Sequence, residues 1–116
     1  MKSFEELEVW QASRLLVIDV YKLFAFLTDY AFKDQITRAT VSIINNIAEG
    51  HERESPKEYA RFLRIAKGSC GEVRSMLIIA SDLDYISEIQ KETLSDQCLS
   101  ISRQLSGFIK YLSDHS

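Results

Sequence analysis

Few residues in this 116-residue chain are of a type and spacing that could do chemistry. His51 stands between Glu49-Gly50 and Glu52, and a histidine flanked by carboxylates has the parts of a general base. No nucleophile recurs at a fixed offset from it, and a histidine at a helix end faces water by default. His115 lies near the other end of the chain. Glu49, Glu58 and Glu72 recur along helical segments, but no ExxH pair accompanies them, so no bundle metal site is expected. Cys70 and Cys98 are far apart, without CxxC or His/Cys ligand spacing. They read as small core residues of a reducing compartment, with a disulfide as the alternative. Gly68 and Gly71 fall inside a helical pattern and form no phosphate loop. The expectation is no catalytic residue, no metal and no cofactor.

The polar residues that stand out lie in Gln35 to Arg53, QITRATVSIINNIAEGHER. Wound at the helical period, Ile36, Ala39, Ile43, Ile44, Ile47 and Ala48 cover a broad apolar arc. The remaining strip carries Arg38, Ser42, Asn45, Asn46 and Glu49, with Gln35 and Arg53 at its ends. A solvated face is usually rich in Lys and Glu. This strip is mostly short and uncharged, and Ser and Asn compete with the helix for backbone hydrogen bonds. It reads as a polar network at a helix or subunit contact, or as the site of a ligand or protein partner.

A second candidate surface is basic. Residues 51–76 carry a charge of +2 within a chain of −3 overall. Arg61, Arg64, Lys67 and Arg74 gather on one side of a helix there. Such a side is usually solvated. Contact with RNA or DNA is the functional alternative, and the acidic whole-chain balance gives it no support.

The elements that must position these residues are helices. Four Gly and one Pro leave few breaks, and the apolar content suits one domain, 1–116, with a real core. Helix 1 is expected to start after Ser3-Phe4-Glu5-Glu6 or nearer Leu7, and to run to about Leu27 on Trp10, Ser13, Val17, Val20, Phe24 and Leu27. Thr28 to Lys33 then reads as a connection, and Asp34 as the N-cap of helix 2, which ends at His51. Gly50 serves as a stop or lets another backbone approach. Ser55-Pro56-Lys57-Glu58 is the clearest helix start, and helix 3 runs to about Leu83. Its central Gly68-Ser69-Cys70-Gly71 implies either close helix approach or a kink. Helix 4 starts at Ser87 with Gln90 at capping-box spacing and runs to about Leu112, with Ser113–Ser116 fraying. Short links between four helices predict an all-α, antiparallel up-down-up-down four-helix bundle. Trp10, Phe24, Ile43, Phe62, Val73, Ile101, Leu105 and Phe108 are expected in its core.

Some apolar residues exceed what one core needs. Leu15, Ile18 and Phe26 form a second stripe on helix 1, and Ile78 and Ile79 lie off the helix 3 seam. A lone bundle would expose them, which predicts self-association. Leu15 to Leu27 is interrupted by Asp19 and Lys22, so no membrane span is expected. The first residues lack the apolar run of a signal peptide, and the reading is a cytoplasmic protein.

The order of landmarks resembles a known family from Phe4 through Leu112. The block Gln35-Ile36, Arg38-Ala39, Ser42-Ile43 and Asn46-Ile47-Ala48-Glu49-Gly50 is followed by Arg53, Ser55 and Glu58. Leu7 and Val9-Trp10-Gln11-Ala12 precede it. Arg61-Phe62-Leu63, Ile65-Ala66, Gly68-Ser69, Glu72 and Ile79-Ala80 follow it, with Leu105, Ile109-Lys110 and Leu112 near the end. The chain is similar to the four-helix-bundle proteins encoded in intervening sequences of bacterial 23S ribosomal RNA genes. That resemblance implies a homopentamer around a central channel, with no known enzymatic activity. A similar fold serves as the accessory protein of diversity-generating retroelements, a basic pentamer that binds nucleic acid and a reverse transcriptase. Thr37 and Ile44 stand where family members often carry Arg and Pro, which implies a straighter helix 2 and a weaker anion site there.

Overall fold

The structure is a computed structural model that describes residues 3–115. A single 3-10 turn, Phe4–Glu6, precedes four helices: α1 Glu8–Leu23, α2 Tyr30–His51, α3 Pro56–Asp82 and α4 Glu88–Asp114. Consecutive helices run antiparallel. Each packs on its two neighbours, α1 against α4 included, and among the described residues neither diagonal pair of helix backbones comes as close. This is an up-down-up-down four-helix bundle, 45 Å long and about 20 Å across. Its helix pairings are unequal: α2–α3 and α3–α4 pack along most of their lengths, whereas α1 is short.

The starts of α3 and α4 follow local chemistry. Ser55 Oγ accepts from the Glu58 backbone N–H at 3.0 Å, and Pro56 occupies the first turn. Glu58 sends its carboxylate forward to Arg61, so no capping box closes there. Ser87 and Gln90 do close one, with bonds of 3.1 and 2.8 Å. Helix α4 continues to Asp114, past the expected fray point, and His115 holds the Tyr111 carbonyl at 2.7 Å and stacks on its ring. Ser116 lies outside the described residues.

The first two helices differ from the sequence reading. Helix α1 stops at Leu23 rather than Leu27, and α2 starts at Tyr30 with Asp29, not Asp34, as N-cap. Asp29 Oδ1 accepts from the Phe32 N–H at 3.2 Å, while Oδ2 accepts from the Tyr85 hydroxyl at 2.7 Å. Tyr85 is in the α3–α4 link, so this cap is completed by a residue 56 positions away. At the other end α1 takes the later of the two expected starts, because Ser3 caps the 3-10 turn instead.

The core follows the seams, with one register change. Buried positions on α1 are Val9, Ser13, Leu16 and Val20, joined by Phe24, so Trp10 and Val17 flank the seam. Of the expected core residues, Phe24, Ile43, Val73, Ile101 and Leu105 are fully buried. Trp10 and Phe108 are partly buried against the core. Phe62 is a correction: it is only partly buried and lies between two guanidinium groups, Arg53 at 4.7 Å and Arg61 at 4.6 Å. Thr40, which the polar strip and apolar arc both left out, is fully buried and donates to the Ile36 carbonyl at 2.7 Å. That back-bond satisfies its hydroxyl within the apolar interior.

Glycine has two different roles here. A Cβ at Gly50 would stand 2.9 Å from both Phe62 Cβ and Tyr59 Cδ1, so the end of α2 meets the start of α3 only because Gly50 has no side chain. Nothing lies within 4 Å of a Cβ placed at Gly68 or Gly71. The close approach expected at these two residues is therefore absent within the chain, and α3 runs through both without interruption. None of the described helices is long and apolar enough to cross a membrane.

Candidate functional site

The polar strip of α2 divides in two. Ser42 and Asn46 turn toward α3. Asn46 Nδ2 donates to the Ser42 carbonyl at 2.8 Å and to Ser42 Oγ at 3.0 Å, and Ser69 Oγ of α3 lies 3.0 Å from the same hydroxyl. One turn pair away, Gln35 donates across the helices to Glu72 at 2.6 Å. This half of the strip is a polar seam that fixes the register of α2 on α3. Arg38, Asn45 and Glu49 instead face outward, and Glu49 pairs with Arg53 one turn on. Among the described residues, Arg38 makes no ion pair.

His51 sits at the junction of α2 and α3. Its Nδ1 is 3.0 Å from the Tyr59 hydroxyl, and the two rings meet edge to face at 5.6 Å. Burial pushes the Tyr59 phenol up to about 12, so the hydroxyl stays protonated at neutral pH. Tyr59 in turn packs on Phe108 at 5.1 Å. The histidine thus joins an aromatic stack between α2, α3 and α4. Cys70 and Cys98 are free thiols rather than a disulfide, and burial pushes both up to about 12. A thiol so raised is a poor nucleophile. Among the described residues, no three His, Cys, Asp or Glu side chains are grouped to hold a metal ion.

The basic residues of α3 also separate. Arg61 forks onto Glu58, with bonds of 3.1 and 3.2 Å, and stacks on Phe62 toward α2. Arg64, Lys67 and Arg74, spaced three and seven apart, share the opposite flank, next to α4. They make no ion pair among the described residues. Arg74 is half-buried there, close enough to Cys70 and Cys98 to act on both thiols electrostatically. At the end of this flank a groove of about 630 Å³ opens between the start of α3 and the end of α4. Ser55, Pro56, Lys57, Ala60 and Arg64 line one wall, and Leu112, Ser113 and His115 the other. Sequence reasoning missed this groove, because its two walls come from the opposite ends of the α3–α4 hairpin.

The surplus apolar residues are all exposed on the single chain. Leu15 is 62% exposed, Ile18 40%, Phe26 97%, Ile78 47% and Ile79 46%. Ile65 on α3 and Leu83 just past its end are exposed as well, and Gly68 and Gly71 leave open space on the same helix.

Residues 5–107 match the family model described as 23S rRNA-intervening sequence protein. The chain belongs to that family. Its fold is also that of a crystal structure from Bacteroides thetaiotaomicron, described as a protein with unknown function from the S23 ribosomal protein family. The two superpose with a TM-score of 0.83 at 24% identity, over 88% of this chain and 98% of the other. No curated protein matches. The block that carried the family resemblance now has a physical account. In this intervening-sequence protein, Ser42 and Asn46 make the α2–α3 polar seam, Gly50 admits Tyr59 and Phe62, and Arg53 covers the Phe62 ring.

Proposed function

We propose that this family member is a non-catalytic, self-associating interaction module, assembled as a homopentameric ring in the cytoplasm. The observation that carries self-association is the exposure of Leu15 and Ile18 on α1, of Phe26, which falls in the α1–α2 link rather than on helix 1 as expected, and of Ile78 and Ile79 on α3. Apolar groups gathered on two separate faces cost free energy in water and gain it when covered. Unlike faces that meet head to tail close into a ring with neither left open. The subunit number five rests on the family resemblance. Arg38, Asn45 and Glu49 would then lie at or near a subunit contact or the channel. The raised thiols, and the use of His51 in packing, support a non-enzymatic role. Light scattering coupled to size exclusion, at low micromolar concentration, tests the proposal. A mass of five subunits is expected, and a monomer mass would end it.

A second reading, a nucleic-acid-associated accessory protein, is favoured by one observation. Arg64, Lys67 and Arg74 share a flank on which no carboxylate pairs with them among the described residues. Neutralising two of them should flatten the salt dependence of binding by about one unit of slope per lost phosphate contact.

A further inference from the structure

We propose that the groove between the start of α3 and the end of α4 binds a phosphate group, recognised by Lys57 and Arg64 with His115 opposite them. The groove, about 630 Å³, is of the size that holds small ligands. Pro56, Ala60 and Leu112 make part of its lining apolar, and among the described residues no carboxylate lines it. Lys57 and Arg64 are seven residues apart, a rise of about 10.5 Å. Ala60 lies between them in sequence, and both long cationic side chains border the same groove over this small residue. Neither is ion-paired among the described residues, whereas Arg53, Arg61 and Lys91 are. The nearest acid in sequence, Glu58, is occupied by Arg61 in two hydrogen bonds. The groove lining thus carries two cationic side chains and, among the described residues, no anionic one, in a chain whose net charge is −3.

The donor set suits phosphate. A guanidinium fork and an ammonium approach from α3, and a tetrahedral group with several acceptor oxygens can engage both at once. His115 Nδ1 donates to the Tyr111 carbonyl at 2.7 Å and its ring stacks on Tyr111 at 4.1 Å. The imidazole is thereby fixed on the opposite wall, and because its neutral Nε2 is an acceptor, the donors to the phosphate are Lys57 and Arg64. The helix N-terminus itself adds little: Pro56 has no N–H, and Ser55 Oγ already takes the Glu58 N–H. The phosphate could be the end group of a nucleotide or a diester within a polynucleotide. This site does not depend on the nucleic-acid reading above, because a small phosphate ligand alone would occupy it.

The test uses the full chain and three probes at low salt: AMP, a short single-stranded RNA bearing a 5′-phosphate, and the same RNA without it. Calorimetry reads the first and fluorescence anisotropy the others. Lys57→Ala and Arg64→Ala should each weaken every probe that binds the wild type by about tenfold, the loss of one charge-assisted contact. Arg103→Ala, on α4 outside the groove, should leave affinity within about twofold. Both groove side chains are exposed, so the helical signal should be unchanged in each variant. Binding of AMP, or preference for the 5′-phosphorylated RNA, assigns an end phosphate. Equal binding of both RNAs with loss in the groove variants assigns a diester. Failure of all three probes to bind, or an Arg103→Ala loss as large as that of Arg64→Ala, would overturn the proposal.

Discussion

Gly50 and Gly71 are the same residue type in the same fold, and the structure assigns them opposite consequences. At Gly50 an added methyl would meet Phe62 Cβ and the Tyr59 ring at 2.9 Å, and neither is the far end of a flexible chain. Gly50→Ala should cost about 1–3 kcal/mol, the usual result of overpacking. At Gly71, and at Gly68, the methyl enters open space. Either change to Ala should gain about 1 kcal/mol from helix propensity. Urea unfolding checks both, in an Ile18→Lys background so that assembly does not contribute. A gain at position 50 would show that α2 and α3 can separate freely there. The sequence offered close approach as one reading at all three glycines, beside a helix stop at Gly50 and a kink at Gly68 and Gly71. It could not say which one has a neighbour, because that depends on where the second helix lies. Phe62 misled for a related reason. Its spacing fits the seam, but the guanidinium groups of Arg53 and Arg61 cover its ring where core side chains were expected.

At the scale of elements, the legible boundaries were those encoded locally. Ser55-Pro56 and Ser87/Gln90 start their helices with side chains three residues away or fewer, so both starts could be read. The α1–α2 link could not be, since its decisive bond runs from Tyr85 to Asp29. Phe32 sits between Phe24, at 6.1 Å, and Tyr85, at 5.5 Å, and ties the same three segments together. The Tyr85 bond, with the Phe32 N–H, holds the Asp29 carboxyl below its ordinary value. A depressed folded-state pKa stabilises above the unfolded value, near 4, and that stabilisation is lost as pH falls through the folded value. Tyr85→Phe should therefore raise the Asp29 pKa in an NMR titration and shrink the drop in stability below about pH 4. An Asp29 titration unchanged by Tyr85→Phe would show that the bond is not kept in solution.

For the whole molecule, the unequal lengths of the helices decide what is left uncovered. Helix α1 has 16 residues against 27 in α3 and α4, so it shields less of the bundle, and its own outer side carries Leu15 and Ile18. Helix α3 is long, and it combines exposed Ile65, Ile78 and Ile79 with two glycines that have nothing above them. The sequence showed this surplus of apolar side chains, because periodicity separates a seam from a second stripe. It could not show whether like or unlike faces meet, since that is a property of two chains. A mixing experiment separates the two cases. Ile18→Lys disables the α1 face and Ile79→Lys the α3 face, and each variant alone should be a folded monomer. In head-to-tail assembly an equal mixture retains one good α3 face, on the first variant, and one good α1 face, on the second. These can join once, and the other two faces cannot, so the mixture should stop at a dimer and never close a ring. If like faces met instead, each variant would already dimerise alone through its intact face, and the mixture would hold no mixed pair. Variants that dimerise alone, or a mixture that stays monomeric beside a wild type that assembles, would rule out the α1-to-α3 contact.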